Sequence, residues 1–344
     1  MATIYDIAKH VGVSAGTVSR ALSRPDKVLP ATRARIEQAA AALGYVPNTV
    51  ARTLKTQRSG KILVTVPDIA NPFFAQILQG AEEAAQAVGY AVLLGDTQHQ
   101  PDREERYAQM LRRNEADGMI VLGHRLPPTA REIVQQRGVS APVVNGCEFD
   151  PALGIPSVHI DNAAAARVVM EHLYGLGHEQ IAVVGGPPDN PLHQQRLQGV
   201  RAAGKARGRL RQQRIVPGDF SVESGHAAAM ALLDVAPAPT AIFCFSDQMA
   251  LGALAACRER GIRVPHDLSI VGFDDLASSR YLTPPLTTIR QPMREIGERA
   301  VKLLLAIIEH ADVPLQQTLD FSLMLRGSTA APRPGRDLDP LIPN

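Results

Sequence analysis

The sequence predicts an α/β protein in which an N-terminal three-helix unit and a short hinge precede a core of two doubly wound parallel sheets. Three observations predict this organisation. The first 45 residues place apolar side chains at helical spacing, the region after residue 60 alternates short β-branched runs with helical segments, and these two regions differ in net charge. Alternating strands and helices are typical of parallel sheets covered by helices.

Length and composition exclude several classes of protein. The 344 residues allow about two or three folded units, and 45% hydrophobic with 20% charged residues exclude wholesale disorder and fibrous sequence. Apolar runs are too short to cross a membrane, and the start MATIYDIAKH has no secretory signal pattern. These features predict a cytoplasmic protein without a membrane partner. Residues Cys147, Cys244 and Cys257 are too scattered for a disulfide framework or a zinc site and are expected to be small core residues.

Positive charge is concentrated at the N-terminus. Residues 1–60 contain nine basic and three acidic residues, a net charge of +6. The rest of the chain contains 27 basic and 31 acidic residues, a net charge of −4. A small positive unit on a mildly acidic body indicates that the unit binds a polyanion, although a solvated basic face would give the same asymmetry.

The first 45 residues fit a helix-turn-helix. Residues 4–11 predict one helix, Gly12 ends it, and Ser14 is a good N-cap for a second helix, AGTVSRALS. A third amphipathic helix, at about 31–43, ends at Gly44. The apolar positions expected to form the common core are Ile4, Ile7, Ala8, Val11, Val18, Ile36, Ala39, Ala40 and Leu43. Such a unit usually binds DNA, although helix-turn-helix folds without that function exist.

The segment NTVARTLKTQRSG follows Pro47 and combines good helix formers with Arg52, Lys55 and Arg58. It is too short to be a stable isolated helix in water. It is therefore expected to act as a hinge that folds on its partner.

ATIYDIAKHVGVSAGTVSRALS and ALGYVPNTVARTLK resemble the DNA-binding head and hinge of the LacI/GalR family of bacterial repressors, and the similarity continues through residue 329. The resemblance implies a homodimer on a near-palindromic operator, associated with the nucleoid. The second helix of each protomer would lie in the major groove, and the two hinge helices would pair in the minor groove. Leu54 falls where an apolar side chain opens the central base step and kinks the duplex.

Specific base recognition is expected to depend on Arg20, which can donate two hydrogen bonds to guanine. Thr17 and Ser19 suit phosphate contacts, although both would also fit a polar helix surface. Ala15 and Gly16 offer little beyond a methyl contact, so DNA deformability would carry part of the specificity. The expected DNA-contacting residues are Thr3, Ser14, Ala15, Gly16, Thr17, Ser19, Arg20, Asn48, Ala51, Arg52, Leu54 and Lys55.

The body of the chain alternates strands and helices in two successive sets. The predicted strands are KILVTV, YAVLL, GMIVL, APVVN and SVHI in the first set, and IAVVG, AIFCF and LSIVGF in the second. A helix at 73–88 carries Ile77, Leu78, Ala81, Ala85 and Val88 on one stripe. The resemblance implies two periplasmic-binding-protein-like lobes, joined by three crossovers, with an effector in the cleft between them.

The resulting domain boundaries combine these patterns with the resemblance. We expect a helix-turn-helix domain at 1–46, a hinge at 47–59, an effector-binding and dimerisation core at 60–330, and a flexible tail at 331–344. Within the core, the N-lobe would comprise about 60–161 and 291–318, and the C-lobe about 162–290 and 319–330. The proline-rich tail has no leucine heptad, so no coiled-coil tetramerisation segment is expected.

Ligands of open α/β sheets bind at the carboxyl ends of the strands. After the first strand, Asn71, Phe73 and Phe74 form a polar-aromatic group, with one phenylalanine expected in the core and the other lining the cleft. Arg196 and Asp274 follow strands of the second lobe; facing each other across a cleft, they would suit adjacent sugar hydroxyls. The expected effector-binding residues are Asn71, Phe73, Phe74, Glu148, Asp161, Arg196, Phe220 and Asp274, and Asp161 would also serve as a helix N-cap.

Several stretches, among them TVPDIANPFF, PSVHIDN and FCFSDQMALGAL, are especially similar to cytidine-responsive members of the family. This similarity implies a ribonucleoside effector and regulation of nucleoside uptake and catabolism. Leu54 favours the usual control in this family, in which the effector loosens operator binding, although family members whose effector strengthens it exist. A sugar-responsive regulator for ribose, gluconate or a hexose is the alternative. A cyclic-AMP receptor protein stays open as a further partner, although Leu54 favours control without one. The basic run 201–214 is expected to be a solvated surface. The alternative is that it contacts another protein or binds DNA nonspecifically.

An enzyme or a free binding protein would need other features. The sequence contains no GxGxxG opening a helix, no GxSxG elbow, no Walker loop and no HExxH motif, so no catalytic residue, cofactor or metal is expected. His159, His172, His178 and His193 are expected to serve packing and local hydrogen bonds. A free binding protein would not carry the first 58 residues.

Overall fold

The structure, a computed structural model, describes residues 2–23, 25–45, 58–208 and 214–333. The chain divides into two compact units, Met1–Ser59 and Gly60–Asn344. The predicted α/β class, with an N-terminal helix-turn-helix and two parallel-sheet lobes, is confirmed.

The N-terminal unit packs three helices around one small core. The helices are α1 (Ile4–Val11), α2 (Ala15–Ser23) and α3 (Pro30–Ala42). Ile7, Val18 and Ile36 contribute one fully buried side chain from each helix. Gly12 ends α1 with φ +73°, a backbone angle that glycine adopts without strain. The prediction that Leu43 belongs to the core is wrong: it follows the last residue of α3 and is 37% exposed.

The second unit contains two six-stranded sheets, which we call the N-lobe and the C-lobe sheets. The N-lobe strands are β1 (Lys61–Val66), β2 (Ala91–Asp96), β3 (Gly118–Val121), β4 (Val143–Gly146), β5 (Ser157–Ile160) and β11 (Gln316–Leu319). The C-lobe strands are β6 (Ile181–Gly185), β7 (Arg214–Pro217), β8 (Ala241–Cys244), β9 (Ser269–Asp274), β10 (Thr287–Arg290) and β12 (Ser322–Met324). The orders are β11-β5-β4-β3-β1-β2 and β12-β10-β9-β8-β6-β7. All neighbours are parallel except β10 and β12.

Helices flank each sheet, and the inner strands are buried while the edge strands β2, β7, β11 and β12 are partly exposed. The N-lobe helices are α4 (Pro72–Gln86), α5 (Pro101–Arg112), α6 (Pro128–Arg137) and α11 (Met293–Ile308). The C-lobe helices are α7 (Asn162–Gly175), α8 (Pro191–Ala206), α9 (Val222–Leu233) and α10 (Asp247–Glu259). The chain passes between the lobes three times: after β5, after β10 and between β11 and β12.

Helices α4 and α11 pack unusually closely on the N-lobe sheet. A Cβ atom at Gly80 would lie 1.9 Å from the Arg294 carbonyl oxygen, and one at Gly297 would lie 1.9 Å from that of Ile77. The contact therefore requires glycine on both helices. The predicted stripe on α4 extends too far, because the helix ends at Gln86 and Val88 beyond it is 57% exposed.

The three cysteines are buried core residues. Among the described residues, no helix is long and apolar enough to cross a membrane, and no three metal-ligating side chains cluster. Most of the expected hinge (residues 47–57) and most of the expected tail lie outside the described residues.

Candidate functional site

Helix α2 presents the predicted base-reading residues on its outer surface. Arg20 and Gly16 are exposed, and Ala15, Thr17 and Ser19 are partly exposed. A Cβ atom at Gly16 would be 4.0 Å from Arg20 Nη2, so Gly16 leaves space beside the guanidinium. Because α2 lies on the surface, Arg20 can reach an external acceptor without rearrangement of the core.

Hydrogen bonds at the helix starts hold this surface in position. The backbone N–H of Thr17 donates to Ser14 Oγ (3.1 Å), and the two hydroxyls share a further hydrogen bond (2.9 Å). Thr3 begins α1 in a capping box: its hydroxyl and its N–H both donate to Asp6 Oδ2 at 2.8 Å. These bonds lower the pKa of Asp6. Arg35 Nη2 donates to the Val11 carbonyl (2.7 Å) and so ties α3 to the turn between α1 and α2.

The remaining predicted DNA contacts are in the hinge, outside the described residues. They are Asn48, Ala51, Arg52, Leu54 and Lys55.

The second unit contains a cavity of about 310 Å³ between the two lobes. This volume is within the range of about 300–1,000 Å³ common for small-molecule sites. Seven of the predicted residues line it: Asn71, Phe73, Phe74, Glu148, Arg196, Phe220 and Asp274. The prediction that Asp161 reaches this site is not supported by its position. It is exposed, and it caps α7 by accepting from the Ala164 N–H at 2.8 Å.

The aromatic group on the N-lobe wall is built by the start of α4. Asn71 caps that helix, since its Oδ1 accepts from the Phe73 N–H at 3.0 Å. Phe73 and Phe74 meet edge to face, with ring centroids 5.3 Å apart. Both are buried in the core and both line the cavity. The expectation that they divide these roles was wrong, because the first helical turn lies at the cavity edge of the core.

Arg196 is a buried cation on the C-lobe wall. Its side chain on α8 is 2% exposed, and its guanidinium lies 3.7 Å from the ring centroid of Phe273. Nε donates to Asn162 Oδ1 (3.0 Å), and Nη1 donates to the Phe245 carbonyl. Burial lowers the pKa of Arg196 to about 10, while the nearby Asp274 opposes this shift. The guanidinium is therefore still charged at neutral pH.

Asp274 is on the same wall as Arg196, at the end of β9. The expectation that the two face each other across the cleft was wrong: both belong to the C-lobe. Asp274 has φ +124°, a strained angle for a residue with a side chain, and its Oδ1 accepts from Gln291 Nε2 at 2.7 Å. Burial raises the pKa of Asp274 to about 8, against the opposing charge of Arg196. With this raised pKa, the carboxyl can hold a proton at neutral pH.

A second buried carboxyl, Asp247, binds the loop that follows Asp274 and the next strand, β10. Its Oδ2 accepts from the Leu276 N–H (2.8 Å) and the Ser279 hydroxyl (2.5 Å), and its Oδ1 accepts from the Thr288 hydroxyl (2.6 Å). Burial raises its pKa to about 6. This role of Asp247 is not visible in the sequence, because its partners are distant in sequence.

Phe220 packs over the turn after β6. A Cβ atom at Gly186 would lie 2.1 Å from the Phe220 ring, so the ring takes the space that a side chain there would need. Phe220 itself has φ +69°, a left-handed angle that is uncommon for an aromatic residue. The ring is therefore held against the cavity by a specific backbone arrangement.

Other polar side chains line the cavity and were missed: Asp68, His99, Asp219, Ser221, Glu223, Ser246 and Gln248. Ser246 and Gln248 follow β8 and Asp219 follows β7, so the rule that ligands bind at strand ends could have found them.

Comparison with known proteins agrees with both parts of this arrangement. Residues 3–48 match the family model for bacterial regulatory proteins of the lacI family, and residues 170–329 match the periplasmic binding protein-like domain. The chain is 45% identical over 332 residues to the HTH-type transcriptional repressor CytR of Escherichia coli strain K12, covering 96% of this chain and 97% of that protein.

Solved structures give the same result. The lac repressor dimer bound to operator and the anti-inducer ONPF is similar with a TM-score of 0.85 and 32% identity, over 96% of this chain and 99% of that one. A LacI family regulator from Enterococcus faecium with bound ribose is similar with a TM-score of 0.71 and 28% identity, over 79% of this chain and 100% of that one. The chain therefore belongs to the LacI family and is a non-enzymatic, DNA-binding transcriptional repressor.

Proposed function

We propose that a ribonucleoside binds in the cavity of this repressor and releases a homodimer from a near-palindromic operator. One observation carries the proposal: a buried arginine and a buried carboxyl, Arg196 and Asp274, line the same cavity as three aromatic rings. Adjacent hydroxyls of a ribose can accept from the guanidinium and donate to the carboxylate.

The aromatic rings suit the base of such an effector. Phe73, Phe74 and Phe220 line the cavity together with the polar pair. Stacking of a base on an aromatic side chain contributes about 1–3 kcal/mol. A free sugar would leave much of this apolar surface without a partner.

On the DNA, Arg20 would donate to guanine in each half-site, with Thr3, Ser14, Thr17 and Ser19 contacting phosphates and Ala15 and Gly16 lying against base edges. The hinge residues Asn48, Ala51, Arg52, Leu54 and Lys55 would contact the minor groove. These assignments follow from the family resemblance and from the exposed face of α2.

A sugar effector is the second candidate. The Enterococcus faecium regulator, which has ribose bound, supports it, since hydroxyl-binding groups alone would serve a free pentose. A ribonucleoside and free ribose differ only in the base, so the affinity for nucleosides must be compared directly with the affinity for ribose.

The test is operator release. An operator is first selected from random DNA with the purified protein and labelled for fluorescence anisotropy. Cytidine, adenosine or uridine should release the labelled operator, and ribose should do so only at much higher concentration. 2′-Deoxycytidine should be at least about tenfold weaker than cytidine, because it loses a hydroxyl that pairs with a charged group. Release by ribose and by no nucleoside would establish the sugar alternative.

A further inference from the structure

A polar cluster joins the two lobes beside the cavity. Glu148 and His124 are in the loops after β4 and β3 of the N-lobe, and Asn190 directly precedes α8 of the C-lobe. His124 Nδ1 donates to Glu148 Oε2 at 2.8 Å, and Asn190 Nδ2 donates to the same oxygen at 3.3 Å. Glu148 Oε2 is therefore held from both lobes.

The orientation of the Asn190 amide is fixed independently. Its Oδ1 caps α8 by accepting from the Leu192 N–H at 2.8 Å. Because the amide oxygen is occupied in this way, the NH₂ group must face Glu148. Asn190 can therefore only donate to the carboxylate.

The other oxygen of Glu148 is left for a ligand. Glu148 is 4% exposed and lines the cavity, and its Oε1 accepts no hydrogen bond from the described residues. Because Oε1 faces the cavity, a ligand that displaced water from it without offering a donor would leave it unpaired, which is costly. A carboxylate can only accept, so the group that satisfies Oε1 must carry an N–H or O–H.

We propose that Glu148 selects the base of the effector, with Oε1 accepting from an exocyclic amine. This inference rests on the proposed ribonucleoside effector. Arg196 and Asp274 take the ribose on the C-lobe wall, so the base faces the N-lobe wall, where Glu148 lies with Phe73 and Phe74. Cytosine and adenine carry an amine at the relevant edge. Uracil and hypoxanthine place a carbonyl oxygen there, which the carboxylate repels.

The test compares bases that differ only in this group. Dissociation constants are measured by calorimetry for cytidine against uridine and for adenosine against inosine. The wild-type protein should bind the amine-bearing member of at least one pair at least about tenfold more tightly, since a polar site rejects a ligand that leaves its groups unpaired. Glu148→Gln can donate to a carbonyl, so it should reduce this preference at least about tenfold. Glu82→Gln, an exposed glutamate on α4 outside the cavity lining, is the matched control.

His124 is a positioning residue in this account, and its variants separate positioning from folding. His124→Leu removes the donor to Oε2 and should reduce the preference for the amine while operator binding persists. His124→Gln restores a donor and should recover the preference. Equal preference in both variants and in wild type would refute the positioning role.

Two results would overturn the inference and keep the ribonucleoside proposal. One is that wild-type protein binds cytidine and uridine with equal affinity, and likewise adenosine and inosine. The other is that Glu148→Gln weakens binding of both nucleosides of a pair by the same factor. Binding of ribose or a hexose without binding of any nucleoside would overturn both proposals.

Discussion

Replacement of Asp274 by asparagine tests the chemistry of the effector site most closely. The substitution keeps the shape of the side chain and removes its ability to carry a negative charge. A hydrogen bond to a charged group contributes about 1.5–3 kcal/mol. At about 1.4 kcal/mol per tenfold, Asp274→Asn should weaken nucleoside binding about 10- to 150-fold.

The pH dependence gives a second, more specific expectation. Burial raises the pKa of Asp274 to about 8, so the carboxyl can hold a proton at neutral pH. Ribose hydroxyls that donate to the carboxylate favour its charged form, so effector binding releases that proton. Wild-type affinity should therefore rise with pH up to about 8, by at most about tenfold per pH unit. Asp274→Asn should lose this slope.

The same raised pKa affects stability without a ligand. Between the ordinary pKa of an aspartate and about 8, the folded protein binds more protons at Asp274 than the unfolded chain does. The free energy of unfolding contributed by this group therefore falls as pH rises through that interval. The melting temperature of Asp274→Asn, measured relative to that of the wild type, should therefore be higher at pH 8 than at pH 6.

The assay is calorimetric titration at pH 6, 7 and 8 in two buffers with different ionisation enthalpies. The buffer dependence of the heat counts the protons released on binding. Operator affinity of Asp274→Asn is the control for folding and should match wild type. A pH-independent wild-type affinity, or the same slope of affinity against pH in Asp274→Asn, would show that effector binding does not release a proton from Asp274.

Three further predictions concern DNA and the cavity wall. Arg20→Ala should lose discrimination at one guanine per half-site, by about 1–3 kcal/mol for each bidentate pair, in competition binding against operators changed at single positions. The control is Arg33→Ala, because Arg33 is an exposed arginine that pairs with Glu37 on α3. An equal loss of affinity for all sequences would argue against base reading by Arg20. Leu54→Ala should reduce DNA bending and operator affinity with effector binding unchanged, and an unaltered bend angle in a gel-shift phasing assay would exclude the wedge role. Gly186→Ala should displace the Phe220 ring. If the ring stacks on the base, effector binding in calorimetry should weaken by about 1–3 kcal/mol with operator binding retained. Unchanged effector affinity would show that the ring does not touch the ligand.

The sequence predicted the fold well because the relevant signals are local. Period-two and helical patterns, together with Gly12 and the cap at Ser14, depend on residues close in sequence. The rule that ligands bind at strand ends located the cavity and found seven of its 18 lining residues, including Arg196 and Asp274. Motif resemblance then identified the family.

The parts that sequence did not predict depend on contacts between distant residues. Asp247 pairs with groups 29 to 41 residues away, and His124 and Asn190 meet Glu148 from different lobes. The dual role of Phe73 likewise depends on where α4 meets the sheet.

Whether the cavity binds a ribonucleoside is measured most directly by calorimetry. The purified protein is titrated with cytidine, adenosine, uridine, ribose and several hexoses, and the affinity for each is compared. At least one nucleoside should bind tightly, and ribose should bind much more weakly. Binding of a sugar with no heat from any nucleoside would contradict the ribonucleoside proposal and place the protein among the sugar-responsive repressors of its family.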